Sequence, residues 1–214
     1  MAWAVLACEF QRMPTLPESS RLHRQIEFIV EVDRLKEVLR RNVLTVSRRR
    51  ENDAEHSWHL CLCVLVLAEH ADAPRLDVLR VLKMLIVHDL VEIDAGDTFA
   101  YDTEGASQQH EREGRAAERV FGLLPDDQAR ELRALWDEFE ARQTPEAVFA
   151  AAVDRFQPML LNARTEGHSW REHDVKAAQV MARGTPIREA SASLWEYVAN
   201  MIRDAVSGGH LAGG

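Results

Sequence analysis

Histidine and aspartate side chains interrupt three apolar stretches of the sequence. His88 and Asp89 follow directly after Leu85-Ile86-Val87, His56 lies at the start of a second apolar segment, and Asp154 ends a third. An ionised carboxylate in a low-dielectric core is costly unless it is paired or binds a metal ion. Two imidazoles and two carboxylates on separate core elements suit a divalent ion that keeps positions open for water. We therefore predict a metal site at these four residues.

Each of these residues alone also has an ordinary structural explanation. The pair His88-Asp89 by itself is close to what composition gives by chance, and a second pair, His173-Asp174, lies in a polar segment where we expect a surface or helix-capping role. A single buried histidine is more often hydrogen-bonded than metal-bound. Asp154 could pair with Arg155 or Arg164. The hypothesis of a metal site therefore depends on the whole set.

Further carboxylates follow the pair on the same predicted helix. His88 and Glu92 are four residues apart and share a helix face, and Asp89 borders that face, so one helix could present an imidazole and two carboxylates to a cavity. The structural alternative for Glu92 is an exposed helix carboxylate. We favour the exposed position for Asp94, and Asp97 could be the N-cap of a short turn.

The pattern of apolar residues predicts an all-α, single-domain helical bundle over residues 21–206. Residues 1–20 are expected to form a loose lead-in and residues 207–214 a flexible tail. Asn52 followed by Glu55 has the character of a capping box and would place His56 in the first turn of the second helix. We predict helices at about residues 22–41, 57–69, 76–94, 111–122, 125–142, 145–164, 172–183 and 186–206, with the third, almost wholly apolar helix at the centre.

Composition excludes several classes of protein. The formal net charge of −9 argues against a protein that binds nucleic acid polymers through a dense basic surface. Three cysteines without a CxxC motif argue against a disulfide framework or a thiolate metal site, which indicates a cytoplasmic protein. No apolar stretch approaches the roughly 20 residues that span a bilayer, so we expect no membrane partner.

Three motifs together resemble those of a known family. The sequence is similar to the HD-domain metal-dependent phosphohydrolases, and in particular to the small HD proteins related to 5′-deoxynucleotidases, over roughly residues 25 to 165. The resemblance implies a helical bundle that binds one divalent ion and often forms a homodimer. The motifs that carry it are Glu55-His56-Ser57-Trp58, His88-Asp89-Leu90-Val91-Glu92-Ile93-Asp94-Ala95-Gly96-Asp97 and Ala152-Val153-Asp154-Arg155-Phe156-Gln157-Pro158-Met159.

The same resemblance implies roles for individual residues. Glu92 would act as the acid/base, and Asp97 would help to place substrate or water. An arginine of the first helix would contact phosphate, and this corresponds to Arg40 or Arg41 depending on where the alignment is counted from. The ligands of the ion would be His56, His88, Asp89 and Asp154.

The sequence departs from the family at two places. The basic cluster Arg48-Arg49-Arg50 differs from the sequence of the deoxynucleotidases at this place. It could bind phosphate or be a solvated charge run. His110 is the only histidine between Asp89 and Asp154, which argues against a second metal ion.

The residues leave the reaction and the metal open. A phosphomonoesterase acting on (deoxy)nucleoside 5′-monophosphates or similar small phosphates is the preferred function. A hydrolase of another nucleotide, such as a triphosphate or signalling nucleotide, and a non-catalytic metal-containing regulatory module are the alternatives. The donor set fits Mn, Co, Fe, Ni, Zn or Mg.

Overall fold

The computed structural model describes residue 17 and residues 20–97 and 106–213, and its architecture is a helical bundle. The predicted all-α fold is confirmed, with one small antiparallel hairpin added. No described helix combines the length and apolar character that crossing a membrane requires. The helices are α1 (Arg21–Val32), α2 (Asp53–Leu67), α3 (Val78–Val87), α4 (Glu92–Ala95), α5 (Ala106–Gly122), α6 (Asp126–Ala141), α7 (Pro145–Arg164), α8 (His168–Glu172), α9 (Ala177–Arg183), α10 (Thr185–Ala190) and α11 (Ala192–Ser207), and the strands are β1 (Leu39–Val43) and β2 (Arg50–Asn52).

The first helix is shorter than the sequence predicts. It ends at Val32, a 3₁₀ turn at Asp33–Glu37 buries Leu35, and the chain then enters β1 instead of continuing as a helix to Arg41. Antiparallel pairing with β2 explains the difference, because the backbone hydrogen bonds of this segment are satisfied by a partner strand rather than within a helix. Arg40 and Arg41 are therefore strand residues.

The third predicted helix is broken at the His-Asp pair. α3 ends at Val87, a 3₁₀ turn covers His88–Val91, and α4 follows. In a 3₁₀ turn residues three apart lie on the same side, so Asp89 and Glu92 share a face more closely than a continuous α-helix would allow. Gly96, at a φ of 75°, ends α4 in a conformation that favours glycine.

The centre of the bundle is α7 rather than α3. Twelve of the 20 residues of α7 are buried, and the helix packs against α2, α3, α6, α10 and α11. In contrast, α3 leaves Leu79 and Ile86 more than half exposed. The capping box at the start of α2 is present as predicted, with Asn52 accepting from the Glu55 backbone and Glu55 accepting in return.

The C-terminal part of the chain is divided more finely than predicted, into α8 to α11. The segment after α11, which we expected to fray, packs against the bundle: Leu211 is buried, and the Ala212 carbonyl accepts a hydrogen bond from the Ala177 backbone. A Cβ atom at Gly167, where φ is 66°, would lie 1.8 Å from the carbonyl oxygen of His210. Only glycine fits this approach.

Replacing Gly167 by alanine is expected to destabilise the protein. Both the left-handed backbone and the contact with His210 oppose a side chain, so Gly167→Ala should lower the free energy of unfolding by more than about 1 kcal/mol in urea denaturation. Gly114→Ala is the matched control, because Gly114 lies within α5 and an added Cβ meets nothing within 4 Å. That change should be neutral or stabilising by up to about 1 kcal/mol. Equal effects of the two substitutions would contradict the packing described for residues 208–213.

Candidate metal centre

Two buried imidazoles from different elements face the same point. His56 of α2 donates from Nδ1 to Gln157 Oε1 (3.1 Å), and His88 donates from Nδ1 to the carbonyl oxygen of Leu85 (2.9 Å). These bonds leave the Nε2 atom of each ring directed inward as an electron-pair donor. This arrangement, in which the far ring nitrogen is fixed by a hydrogen bond, is the usual one for histidines that bind metals.

Two carboxylates meet the inward-facing nitrogens. Asp154 Oδ1 lies 3.1 Å from His56 Nε2 and 3.9 Å from His88 Nε2. Asp89 Oδ1 lies 3.0 Å from His88 Nε2, and Asp89 Oδ2 lies 4.0 Å from His56 Nε2. All four side chains are buried. The structure therefore brings together the four residues that the sequence predicts as ligands.

The electrostatics of the cluster favour a cation at its centre. Burial lowers the pKa of His88, but the charges of Asp89 and Asp154 outweigh it and raise that pKa to about 10. Burial raises the pKa of Asp89, and the neighbouring His88 reverses this and lowers it to about 2. The pKa of Asp154 is held well below its ordinary value because Arg155 and the two histidines overcome its burial. Protons on the imidazoles or a bound metal ion would each supply the positive charge that stabilises these two carboxylates.

The donor set fits a divalent ion. Atoms of His56, His88 and Asp154 lie within 4.8 Å of one another, a spacing at which they could ligate a common ion. His88 Nε2 is buried and makes no hydrogen bond, although a carboxylate oxygen is close to it. In the neutral imidazole, which donates its Nδ1 proton elsewhere, Nε2 is an electron-pair donor like the carboxylate oxygens, and such atoms share a buried site when a proton or a metal ion lies between them.

Glu92 and Asp97 lie beside this cluster and line the same cavity. The pKa of Glu92 is raised well above its ordinary value by burial and then by the charges of Asp89 and Asp53. Burial also raises the pKa of Asp97, against the opposing charges of Arg40 and Arg41. Both carboxyls thus lie beside the proposed metal site, where a carboxyl could donate a proton to a ligand or hold it in position.

Asp94 has a different position. Arg119 of α5 pairs with it and with Glu31, at 2.8 Å and 2.7 Å respectively, on the exposed side of the bundle. This agrees with the surface role that the sequence favours for Asp94.

The two arginines predicted to contact phosphate differ in their surroundings. Arg40 Nη1 donates to Asp53 Oδ1 (3.0 Å) and to Asp89 Oδ2 (3.1 Å), so it holds a predicted metal ligand in place. Arg41 is exposed and lines the cavity, and its guanidinium makes no hydrogen bond or ion pair within the described residues. Of these two arginines, Arg41 is therefore the one that keeps its charge available to a ligand.

The basic cluster belongs to the hairpin. Arg48 adopts a left-handed conformation in the turn, Arg49 pairs with Glu55, and Arg50 donates to the carbonyl oxygen of Arg40 (2.7 Å). None of the three lines the cavity. A structural role for Arg48-Arg49-Arg50 is thus favoured over phosphate binding.

The cavity beside the cluster has a volume of about 320 Å³. His110 lines it together with Glu113 and Glu140, and these three also have potential ligand atoms within 4.8 Å of one another. His110 is exposed and both glutamates are only partly buried, unlike the first cluster. Exposed acidic groups need no ion, so this arrangement gives no reason to add a second metal.

Sequence reasoning missed the residues that support His56. Gln157 donates to Glu51 Oε1 (2.7 Å) while it accepts from His56, and both Gln157 and Glu51 are fully buried. Asp53, also fully buried, holds Arg40. In the sequence, Glu51 and Asp53 resemble ordinary charges at a helix N-terminus. The available signal for Gln157 was its spacing of three residues from Asp154, which puts both on one face of α7.

Removing the hydrogen-bonding groups of Gln157 is expected to weaken metal binding. Gln157→Met keeps the length of the side chain but leaves His56 Nδ1 without its acceptor, so the ring orientation is no longer fixed. We expect the Kd for Mn²⁺, measured by titration calorimetry, to rise by about 10- to 100-fold. Gln25→Met, which removes a remote hydrogen bond to Gln128, is the control. A Kd that stays within twofold of the wild type would refute this supporting role.

Comparisons with known proteins point consistently to one family. The sequence model described as "HD domain" matches residues 32–195. Human 5′-deoxynucleotidase HDDC2 is 30% identical over 140 residues, which cover 63% of this chain and 65% of that protein, so the match spans slightly less than two thirds of the relative's length.

Solved structures give the same result. A protein of Magnetospirillum magnetotacticum named "predicted metal-dependent phosphohydrolase" superposes with a TM-score of 0.86 at 50% identity, covering 94% of this chain and all of that one. A Pyrococcus horikoshii protein at 22% identity and a TM-score of 0.59, covering 82% of this chain and 99% of that one, shares the fold. Because the match to the HD domain extends over most of the residues and includes every predicted ligand, the chain belongs to the HD-domain family.

Proposed function

We propose that this protein is a metal-dependent phosphohydrolase that acts on (deoxy)nucleoside 5′-monophosphates or similar small phosphates. The observation that carries the proposal is the convergence of His56 Nε2, His88 Nε2 and Asp154 Oδ1 on one point beside an arginine-bearing cavity. The names of the human relative and of the Magnetospirillum protein support the same activity. A cavity of about 320 Å³ is at the small end of ligand sites, which favours a monophosphate over a larger nucleotide.

In the proposed site, His56, His88, Asp89 and Asp154 hold the ion. A bound divalent ion supplies Lewis acidity that polarises the phosphoryl group and acidifies the attacking water. The second ligand carboxylate, Asp89, is kept in position by Arg40. Arg155 Nη1 similarly holds Asp154 through Oδ2 (3.0 Å), leaving Oδ1 for the centre of the site.

Glu92 is the proposed acid/base. Its pKa is raised well above the ordinary value, which favours the protonated carboxyl that a general acid needs to protonate the leaving nucleoside oxygen as the P–O bond breaks. Water adds to phosphorus in the same step, the proton that it loses restores the Glu92 carboxyl, and the products are the nucleoside and inorganic phosphate. Arg41, not Arg40, is the proposed phosphate contact, and Asp97 orients substrate or water from the end of α4.

A panel of nucleoside mono-, di- and triphosphates tests this proposal. With Mn²⁺ or Co²⁺ present, the monophosphates should give the highest kcat/KM, a chelator should abolish phosphate release, and restored metal should recover it. A preference for triphosphates would favour the alternative nucleotide hydrolase. If the fully metallated protein turns over no phosphate ester, the regulatory module is favoured and the proposal fails.

Two variants separate metal binding from proton transfer in the same assay. Glu92→Gln should keep its metal content and lose about 10²- to 10⁴-fold in kcat, because it removes only the proton donor. Asp89→Asn, a matched change of carboxylate to amide, should lose metal content measured by atomic emission. Similar metal content in both variants would contradict the proposed division of roles.

We also propose that the protein is a cytoplasmic homodimer. Six apolar side chains of α2 and α3 are between 42% and 66% exposed, and a monomer would leave this surface in water. This surface of α2 and α3 could pair with the same surface of a second copy about a twofold axis. Free thiols at Cys61 and Cys63 fit a reducing compartment. We call this surface the α2–α3 face; its residues are Trp58, Leu62, Leu65, Val66, Leu79 and Ile86.

A charge on the α2–α3 face is expected to separate the proposed dimer. Leu65→Lys should shift the mass measured by light scattering from two chains to one, because the lysine would have to be buried without a partner. Leu22→Lys is the control, since Leu22 is a similarly exposed leucine on α1, outside this face. A wild-type protein that elutes as a monomer would refute the dimer.

A further inference from the structure

Two residues that line the cavity each carry a buried hydrogen-bond donor with no partner among the described residues. The amide nitrogen of Asn42, on β1, and the indole nitrogen of Trp170, on α8, are both buried without a hydrogen bond. Asn42 is 9% exposed and Trp170 is 1% exposed. Since buried polar groups in proteins are nearly always paired, two unpaired donors at one cavity indicate that a ligand supplies the acceptor.

The orientation of the Asn42 amide follows from its neighbours. The backbone N–H of Ser169 donates to Asn162 Oδ1 (3.1 Å), which fixes that amide with Nδ2 directed towards Asn42. Asn162 Nδ2 then donates to Asn42 Oδ1 (3.4 Å) and to the carbonyl oxygen of Pro158 (3.2 Å). The oxygen of Asn42 is thus already used, and the group left over is a donor.

Asn162, the hydrogen-bond partner of Asn42, lies at a defined distance along α7 from the proposed metal centre. Asp154, Pro158 and Asn162 are spaced four residues apart on α7 and all line the cavity. With a rise of 1.5 Å per residue, Asn162 is about 12 Å along the helix from Asp154. That separation is close to the span of a nucleoside 5′-monophosphate from its phosphate to the far edge of its base.

We propose that Asn42 and Trp170 form a subsite for the carbonyl edge of a nucleobase. This inference rests on the proposed function and adds the class of base. A carbonyl oxygen of thymine, uracil, cytosine or guanine has two lone pairs and can accept from both donors. Adenine has no carbonyl oxygen: each of its ring nitrogens accepts only one hydrogen bond, and its exocyclic amino group would place a donor against the second donor. A site that must leave a buried donor unpaired discriminates against such a ligand.

The experiment compares three substrates: thymidine 5′-monophosphate, deoxyadenosine 5′-monophosphate and 2-deoxyribose 5-phosphate, which has no base. The wild type should prefer thymidylate over deoxyadenylate by about tenfold in kcat/KM. Trp170→Phe, which removes the N–H and keeps an aromatic ring, and Asn42→Ala should each lower kcat/KM for thymidylate by about 3- to 10-fold. Both should leave the base-free phosphate within twofold.

Asn200→Ala, an exposed change on α11, is the control and should leave all three substrates unaffected. Thermal unfolding and metal content establish that each variant is folded and loaded. The subsite is refuted if the variants lose equally on the base-free phosphate, or if the wild type shows no preference between the two nucleotides. A wild type that hydrolyses none of the three compounds would instead refute the proposed function, and the subsite with it.

Discussion

The arrangement of the protein depends on a set of buried electron-pair donors that face one another. His56 and His88 direct Nε2 towards the oxygens of Asp89 and Asp154, and each ring has already committed Nδ1 to an acceptor. Without a proton or a metal ion between them these atoms would repel. Burial makes the requirement stronger, because little water is present to screen the carboxylates. The neighbouring arginines bind the outer carboxylate oxygens and leave the inner ones facing the centre.

Three departures from regular helix geometry place these groups. The 3₁₀ turn after α3 brings Asp89 and Glu92 onto one side, and the hairpin carries Arg40 to Asp89. Gly96 ends α4 through a positive φ, so that Asp97 returns to the cavity. The central helix α7 provides continuity, since it carries Asp154 at the proposed metal site and further residues along the cavity. The regular helices form the core, and the irregular segments shape the site.

The sequence predicts those residues of the site that can be recognised from the pattern of a single segment. His56, the His88-Asp89 pair and Asp154 stand out because each interrupts an apolar pattern, and their separate positions in the chain imply a meeting point. The hairpin could not be predicted this way, because its pairing satisfies a segment that also has helical periodicity. The roles of Glu51 and Gln157 were equally hidden, since they arise from a contact between residues 106 positions apart. Such support depends on tertiary packing, and the local pattern shows only the three-residue spacing of Gln157 from Asp154.

The distribution of charge links metal binding to phosphate binding. The chain has a net charge of −9, and the cavity is lined by six carboxylates and five arginines, so a phosphate approaching the metal-free protein meets charges of both signs. Arg40 and Arg155 add little attraction, because carboxylates already pair with them. In the proposed function, Arg41 and the divalent ion supply the attraction beside the reacting phosphate. An acidic protein can therefore be selective for a phosphate ester, since the positive charge is concentrated where the phosphate must react and is reduced elsewhere.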